Sequence, residues 1–223
     1  MADNSKPIAN AIDKMIKAGG KHSPAVMKIF DSWVAELDNG GLPANLMTAG
    51  SAFPDGDLLD AHGQPTSLKQ TLNSQTGVIV FYRGAWCPYC NLALKIYQKD
   101  LLPELNKLGV KLVAISPQRA DGSMTMKDKN DLDFAVLSDP GNQIAEQLGI
   151  IIIPPAKVQA AQKSFGLDLT AVNADHSAFL PMPTVAIVDH GGTLVWIDVH
   201  PNYKTRTEPG DVLEAIKTHL KFD

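Results

Sequence analysis

The 223-residue chain has two cysteines, three positions apart, in Cys87-Pro88-Tyr89-Cys90. Three residues is close to one helical turn, so the two thiols share a face and come within disulfide reach. Before them, Val78-Ile79-Val80-Phe81-Tyr82 reads as a buried strand; after them, Asn91-Leu92-Ala93-Leu94 continues a helix. Pro88 suits the first helical position, where a missing N–H costs nothing, and this makes Cys87 the N-cap. An N-cap cysteine is exposed at the positive end of the helix dipole, and the amide of Cys90 can point at its sulfur. Both effects favour the thiolate. Cys90, one turn in, is expected to be more buried and to keep a higher pKa. The roles follow: Cys87 attacks, Cys90 resolves, and a redox disulfide Cys87–Cys90 forms between them. Arg83, just before the turn, is a candidate to add positive charge near Cys87, with a solvated or structural arginine as the equal alternative. Trp86 is expected to pack beside the sulfur and limit access.

Other chemistries fit less well. A zinc site needs four ligands, and no second cysteine pair exists, so no metal and no cofactor are expected. Two inert core cysteines would be unusual at a strand-to-helix turn.

The elements that must position this turn belong to an ordinary globular composition, 44% hydrophobic and 20% charged, with ample material for a core that needs no disulfide staple. A net charge of −4 and the lack of a basic run disfavour nucleic-acid binding. No apolar run approaches the about 18 residues of a membrane span. The polar start, Met1-Ala2-Asp3-Asn4-Ser5-Lys6, lacks an apolar leader. A cytoplasmic protein is expected, where a lone cysteine pair suits catalysis better than bracing.

Residues 1–46 read as a helical extension of two amphipathic helices. One carries Ile8, Ile12, Met15 and Ile16 and ends at Gly19-Gly20; the other opens at Ser23-Pro24 and carries Ile29, Phe30, Trp33 and Leu37. A capping element is favoured over a dimerisation arm. Further on, His62-Gly63 suggests a short hairpin. A strand at 77–82, a helix at 88–108 kinked by Pro103, and a strand at 110–116 form a right-handed βαβ unit. A helix at 119–130, a short edge strand at 134–138 and a helix at 140–148 follow. Residues 185–189 and 194–199 read as a hairpin about His190-Gly191-Gly192-Thr193, and a helix at 209–220 closes the chain.

This order, with C-x-x-C after a central strand, resembles the thioredoxin fold: α/β, a central mixed sheet flanked by helices, here over 47–223. Trp86-Cys87-Pro88-Tyr89-Cys90 resembles the W-C-x-x-C of thioredoxins, with the Cys-Pro-Tyr-Cys of glutaredoxins. Met182-Pro183-Thr184 resembles the segment that faces the dithiol in that superfamily, which makes Pro183 a candidate cis bond. Gly50 through Leu68, with Phe53-Pro54, Leu58, Gly63 and Ser67-Leu68, is similar to the start of AhpC/TSA-type peroxiredoxins, and the inserted elements at 134–149 fit that group. One departure stands out. The family pattern P-x-x-x-T/S-x-x-C finds Val80 and Gly84 at its proline and hydroxyl positions.

The resemblance implies a thiol peroxidase. Its substrate would be a peroxide, its reductant thioredoxin or a glutathione/glutaredoxin system, and a homodimer is among the arrangements it allows. Thr184 and Arg119 are pocket candidates, and His176 is a candidate for proton transfer. The alternative is a general thiol-disulfide oxidoreductase in which Pro183 docks a disulfide. A cluster-binding protein sharing iron–sulfur between two chains is a remote third, since Pro88 is unfavourable for it.

Overall fold

The computed structural model describes residues 5–19 and 23–220. Met1 to Asn4, in the polar start, and Gly20, at the end of the first helix, lie outside them.

The chain opens with helices α1 (Pro7–Lys17) and α2 (Pro24–Gly40), then a small hairpin of β1 (Leu58–Leu59) and β2 (Pro65–Thr66), and α3 (Leu68–Leu72). The central unit is β3 (Gly77–Phe81), α4 (Pro88–Ile96), α5 (Leu102–Lys107) and β4 (Lys111–Ser116). Next come α6 (Ala120–Asn130), β5 (Ala135–Ser138), α7 (Gln143–Leu148), β6 (Ile151–Ile152), α8 (Ala156–Ser164) and α9 (Leu169–Val172). The chain ends with β7 (Leu180–Pro181), β8 (Thr184–Val188), β9 (Leu194–Val199) and α10 (Pro209–His219).

Seven strands form one mixed sheet in the order β2-β1-β5-β4-β3-β8-β9. β3, β4 and β5 run parallel, and β8 and β9 are antiparallel. β3 is buried along its whole length because both faces are covered. Alternation sends Val78 and Val80 to the face packed by α1, α4 and α10, and Ile79 and Phe81 to the face packed by α3 and α7. The segment at 135–138 is not an edge strand as expected: Leu59 of the hairpin pairs with Ser138 and covers it. The predicted helix at 88–108 is interrupted by a π-helical turn, Tyr97–Leu101, just before Pro103. Pro103 has no N–H to donate, and the wider turn takes up the break in the ladder.

The N-terminal helices pack onto this frame. Ile8 and Ile12 of α1, one turn apart, enter the main core. The carboxylate of Glu208, 6% exposed, accepts from the N–H of Ile8 at 2.9 Å and of Ala9 at 2.8 Å, satisfying donors that a helix start leaves open. Glu208→Ala removes both acceptors and is expected to cost about 1–3 kcal/mol. A lowered urea midpoint, partly recovered in Glu208→Gln, checks it; an unchanged midpoint would show that α1 does not depend on this anchor.

α2 begins at Ser23, whose hydroxyl accepts from Val26 N–H, with Pro24 in the first turn. Its Trp33 is buried against Val158 and Tyr203. Polar contacts from α2 reach the loop before α10: Lys204 Nζ lies 2.9 Å from Asp31, and Asn202 donates to Asp38 at 2.9 Å.

Candidate active site

The dithiol sits where the sequence puts it, at the end of β3 and the start of α4. Cys87 is the N-cap and Pro88 occupies the first turn. The cysteines are 2.9 Å apart and unbonded.

Two expectations about them are corrected. Cys87 is not exposed: both cysteines are 1% exposed. The helix amides do not point at its sulfur either. The N–H groups of Cys90 and Asn91 donate to the carbonyl of Cys87 at 3.1 Å each, and no side-chain cap bond forms. An N-cap carbonyl is the ordinary acceptor at a helix start, and here it takes both donors. The turn is fixed from below. Asn91 Nδ2 donates to the carbonyls of Ala85 at 2.7 Å and Cys87 at 2.8 Å, and Asn130 Nδ2 donates to Asn91 Oδ1 at 2.9 Å. Gln118 Oε1 accepts from Ala85 N–H at 2.5 Å.

Two arginines supply the charge. Arg83, 4% exposed, lies among three rings, with its guanidinium carbon 4.3 Å from Tyr203, 4.9 Å from Trp86 and 5.7 Å from Trp33. Its Nε has no hydrogen-bond partner. Arg206, partly buried, donates from Nη2 to Cys90 Sγ at 3.2 Å. Among the described residues, no carboxylate lies within ion-pair distance of either arginine.

The two thiols therefore divide one negative charge unequally. Burial pushes the Cys87 thiol up, and the adjacent Cys90 sulfur, to which it hydrogen bonds, adds to this against Arg83 and Arg206. Burial raises Cys90 as well. The hydrogen bond from Cys87, the charges of Arg206 and Arg83, and the backbone N–H of Arg83 outweigh it and hold Cys90 well below the usual thiol range. Cys90 is thus the more acidic of the pair, the reverse of the expected ordering. The hydrogen bond from Cys87 is the first cause of the lowering, followed by Arg206, whose Nη2 donates to the second sulfur rather than to the N-cap one.

Trp86 packs against the core cluster that contains both cysteines, and it also accounts for the departure at Gly84. Gly84 has φ +148, and a Cβ there would strike Trp86 Nε1, come within 2.8 Å of Trp86 Cδ1 and lie 2.9 Å from the Gln118 carboxamide carbon. The indole and the Gln118 side chain occupy the space that a threonine or serine would need.

The remaining candidates fare differently. Thr184 pairs with Phe81, at the same sheet end as the dithiol turn, but its hydroxyl donates to Met182 O at 2.9 Å. The Met182–Pro183 bond is not cis; among the described residues no peptide bond is. Trans is the preferred isomer by about 0.5–1 kcal/mol even before proline, and it carries the chain straight from β7 into β8 while Pro183 O accepts from His200 N–H at 2.8 Å. Arg119 is at the surface, paired with Asp121 at 2.8 Å. His176 is exposed, with Nδ1 3.1 Å from Thr170 O. Among the described residues no cluster of three or more metal-ligating side chains occurs, and no helix is long and apolar enough to cross a membrane.

Arg206, Tyr203 and Trp33 were not singled out as site residues by the sequence. Trp33 was visible only as part of the apolar face of α2, and Arg206 sits in an irregular loop with no pattern to flag it.

The AhpC/TSA family model matches residues 49–197. Peroxiredoxin Bcp of Escherichia coli (strain K12) is 30% identical over 106 residues, which cover 48% of this chain and 67% of that protein. The thiol-disulfide oxidoreductase ResA of Bacillus thuringiensis subsp. konkukian (strain 97-27) is 28% identical over 109 residues, 48% of this chain and 61% of its own. Among solved structures, peroxidoxin BcpB from Mycobacterium tuberculosis superposes with a TM-score of 0.57 at 20% identity, covering 77% of this chain and 96% of that one.

Proposed function

From the premise that the chain belongs to the AhpC/TSA family, we propose that it is a thiol-dependent peroxidase. It reduces hydrogen peroxide or organic hydroperoxides through a Cys87/Cys90 dithiol–disulfide cycle. The observation that carries this reading is the enclosure of the dithiol. With each cysteine 1% exposed, a small oxidant suits the approach better than the disulfide of a folded protein. The general oxidoreductase reading keeps the support of the Cys-Pro-Tyr-Cys sequence and the ResA relative, but that enclosure weighs against it.

The cycle begins with the proton between the two sulfurs. The Cys87 S–H passes its proton across the short contact to Cys90, and the Cys87 thiolate attacks one oxygen of the peroxide. The O–O bond breaks, Cys87 becomes a sulfenic acid, and the leaving oxygen takes the proton from Cys90. Cys90, again a thiolate, attacks the Cys87 sulfur. The S–S bond forms, the S–O bond breaks, and hydroxide leaves to be protonated by solvent. The disulfide is reduced by exchange with glutathione, or with a thioredoxin- or glutaredoxin-type protein once the enclosing turn opens, in the cytoplasmic setting where thiols are kept reduced. Helix α2 caps the site through Trp33, which packs on Tyr203 and lies over Arg83.

Among the described residues no carboxylate neutralises Arg83, so its charge is free to stabilise the attacking thiolate and the developing oxyanion. Arg83→Gln is expected to lower the second-order rate constant for hydrogen peroxide by about 100-fold, the usual worth of one such donor, with Arg83→Lys between it and wild type. Stopped-flow oxidation of the reduced variants checks it, and a rate unchanged from wild type would remove Arg83 from the chemistry.

A further inference from the structure

We propose that Arg206 is a catalytic residue of the resolving step: its guanidinium keeps Cys90 a thiolate aimed at Cys87, so that the sulfenic acid closes to the disulfide as soon as it forms. This rests on the peroxidase reading above. Arg206 lies outside the stretch that matches the family, 49–197, and 116 positions from the cysteine it touches.

The geometry is specific. Arg206 Nη1 donates to the carbonyls of Tyr203 at 2.6 Å and Thr205 at 2.5 Å. That fixes the plane of the guanidinium and leaves Nη2 directed at Cys90 Sγ, 3.2 Å away. The loop is itself anchored. Tyr97 Oη donates to Thr207 O at 2.6 Å, and Thr207 Oγ1 donates to Asp198 Oδ2 at 2.8 Å. His200 bridges Asp198 at 3.0 Å and Thr205 at 2.8 Å. Arg83, which is buried, faces aromatic rings. Arg206 is the guanidinium given a donor line to sulfur, and that sulfur is the nucleophile of the second step.

The consequence is chemical. Cys90 as a thiolate attacks Cys87–S–OH directly, forming S–S, breaking S–O and releasing hydroxide. Cys90 as a thiol must first lose its proton, during which the sulfenic acid is open to a second peroxide and conversion to sulfinic acid. Arg206 would thus set both the rate of closure and the resistance to over-oxidation.

The test mixes reduced protein with one equivalent of hydrogen peroxide, quenches with dimedone at intervals and counts sulfenic acid and disulfide by mass. In Arg206→Gln, closure is expected to slow by about 10- to 100-fold, the range for one hydrogen bond to a charged group, and trapped sulfenic acid to accumulate. Its closure rate should climb with pH, as solvent base takes over removal of the Cys90 proton, while wild type stays nearly flat. Arg206→Lys recovers part of the rate. Closure at the wild-type rate, or slowed equally at every pH as for a displaced loop, would overturn the proposal.

A second measurement needs neither peroxide nor a folded Arg206→Gln. In Cys87→Ser, thiolate absorbance should show Cys90 ionising below the ordinary thiol range, and Arg206→Lys in that background should shift it. Ionisation at or above the ordinary range overturns the proposal. If wild type fails to consume peroxide while this titration holds, the peroxidase reading falls and the hold of Arg206 on Cys90 stands.

Discussion

Cys87→Ser is expected to abolish peroxide consumption, by about 10⁴-fold or more, as loss of a nucleophile does. Cys90→Ser is expected to complete one attack and stop at the sulfenic acid. The asymmetry follows from the division of labour at the turn. Both sulfurs are equally buried, and one thiolate serves the pair. Arg83 is the cation with the larger pull on Cys87, and Arg206 donates to Cys90 Sγ at 3.2 Å. Removing Cys87 takes away the atom that meets the oxidant. Removing Cys90 takes away the base and the resolving nucleophile but leaves that atom in place. Peroxide loss in single-turnover mixing, with dimedone labelling of each variant, checks both halves. Full consumption by Cys87→Ser, or labelling of Cys90 in the wild type, would exchange the roles.

Gly84→Thr, which installs the hydroxyl of the family pattern, is expected to damage the protein rather than improve it. Gly84 at φ +148 lies where side chains other than glycine are strained, and its Cβ position is taken by Trp86 and Gln118. The backbone strain alone is worth about 1–3 kcal/mol, and overpacking adds about 1–3 kcal/mol more. A combined loss of about 3 kcal/mol or more would lower the melting temperature by about 6–12 °C for a domain of this size. Displacing Gln118 also frees the Ala85 N–H that it holds, and so loosens the turn under Cys87. Thermal unfolding followed by far-UV circular dichroism checks the loss. A variant as stable as wild type and faster with peroxide would show that the site accepts the family hydroxyl.

Much of the scaffold was legible because its signals are local. The apolar run 78–82 had to be a strand covered on both faces, and the Cys-Pro pair set the helix start to the residue. Gly191-Gly192 marked the hairpin between β8 and β9. Most of the misses are decided by residues distant in sequence. Cys87 reads as exposed if only its helix is considered, but Trp33, Trp86 and Tyr203 gather over Arg83 beside it. The contact of Arg206 with Cys90 is made by a loop that hangs from Tyr97 and Asp198. The interior position of β5 depends on a single pairing with Leu59. The cis isomer at Pro183 is what the resemblance implies, and the structure has trans there. The absent hydroxyl at Gly84 was visible from the sequence, but the reason was not: the indole two residues on fills the space.

The most direct test of the central claim is stopped-flow mixing of the reduced protein with hydrogen peroxide, followed by tryptophan fluorescence, since Trp33 and Trp86 both lie against Arg83. The account predicts oxidation orders of magnitude faster than a free cysteine, ending in the Cys87–Cys90 disulfide and outpacing reaction with a protein disulfide at equal concentration. Oxidation no faster than free cysteine, together with rapid exchange against that protein disulfide, would contradict it and make the chain a thiol-disulfide oxidoreductase on this scaffold.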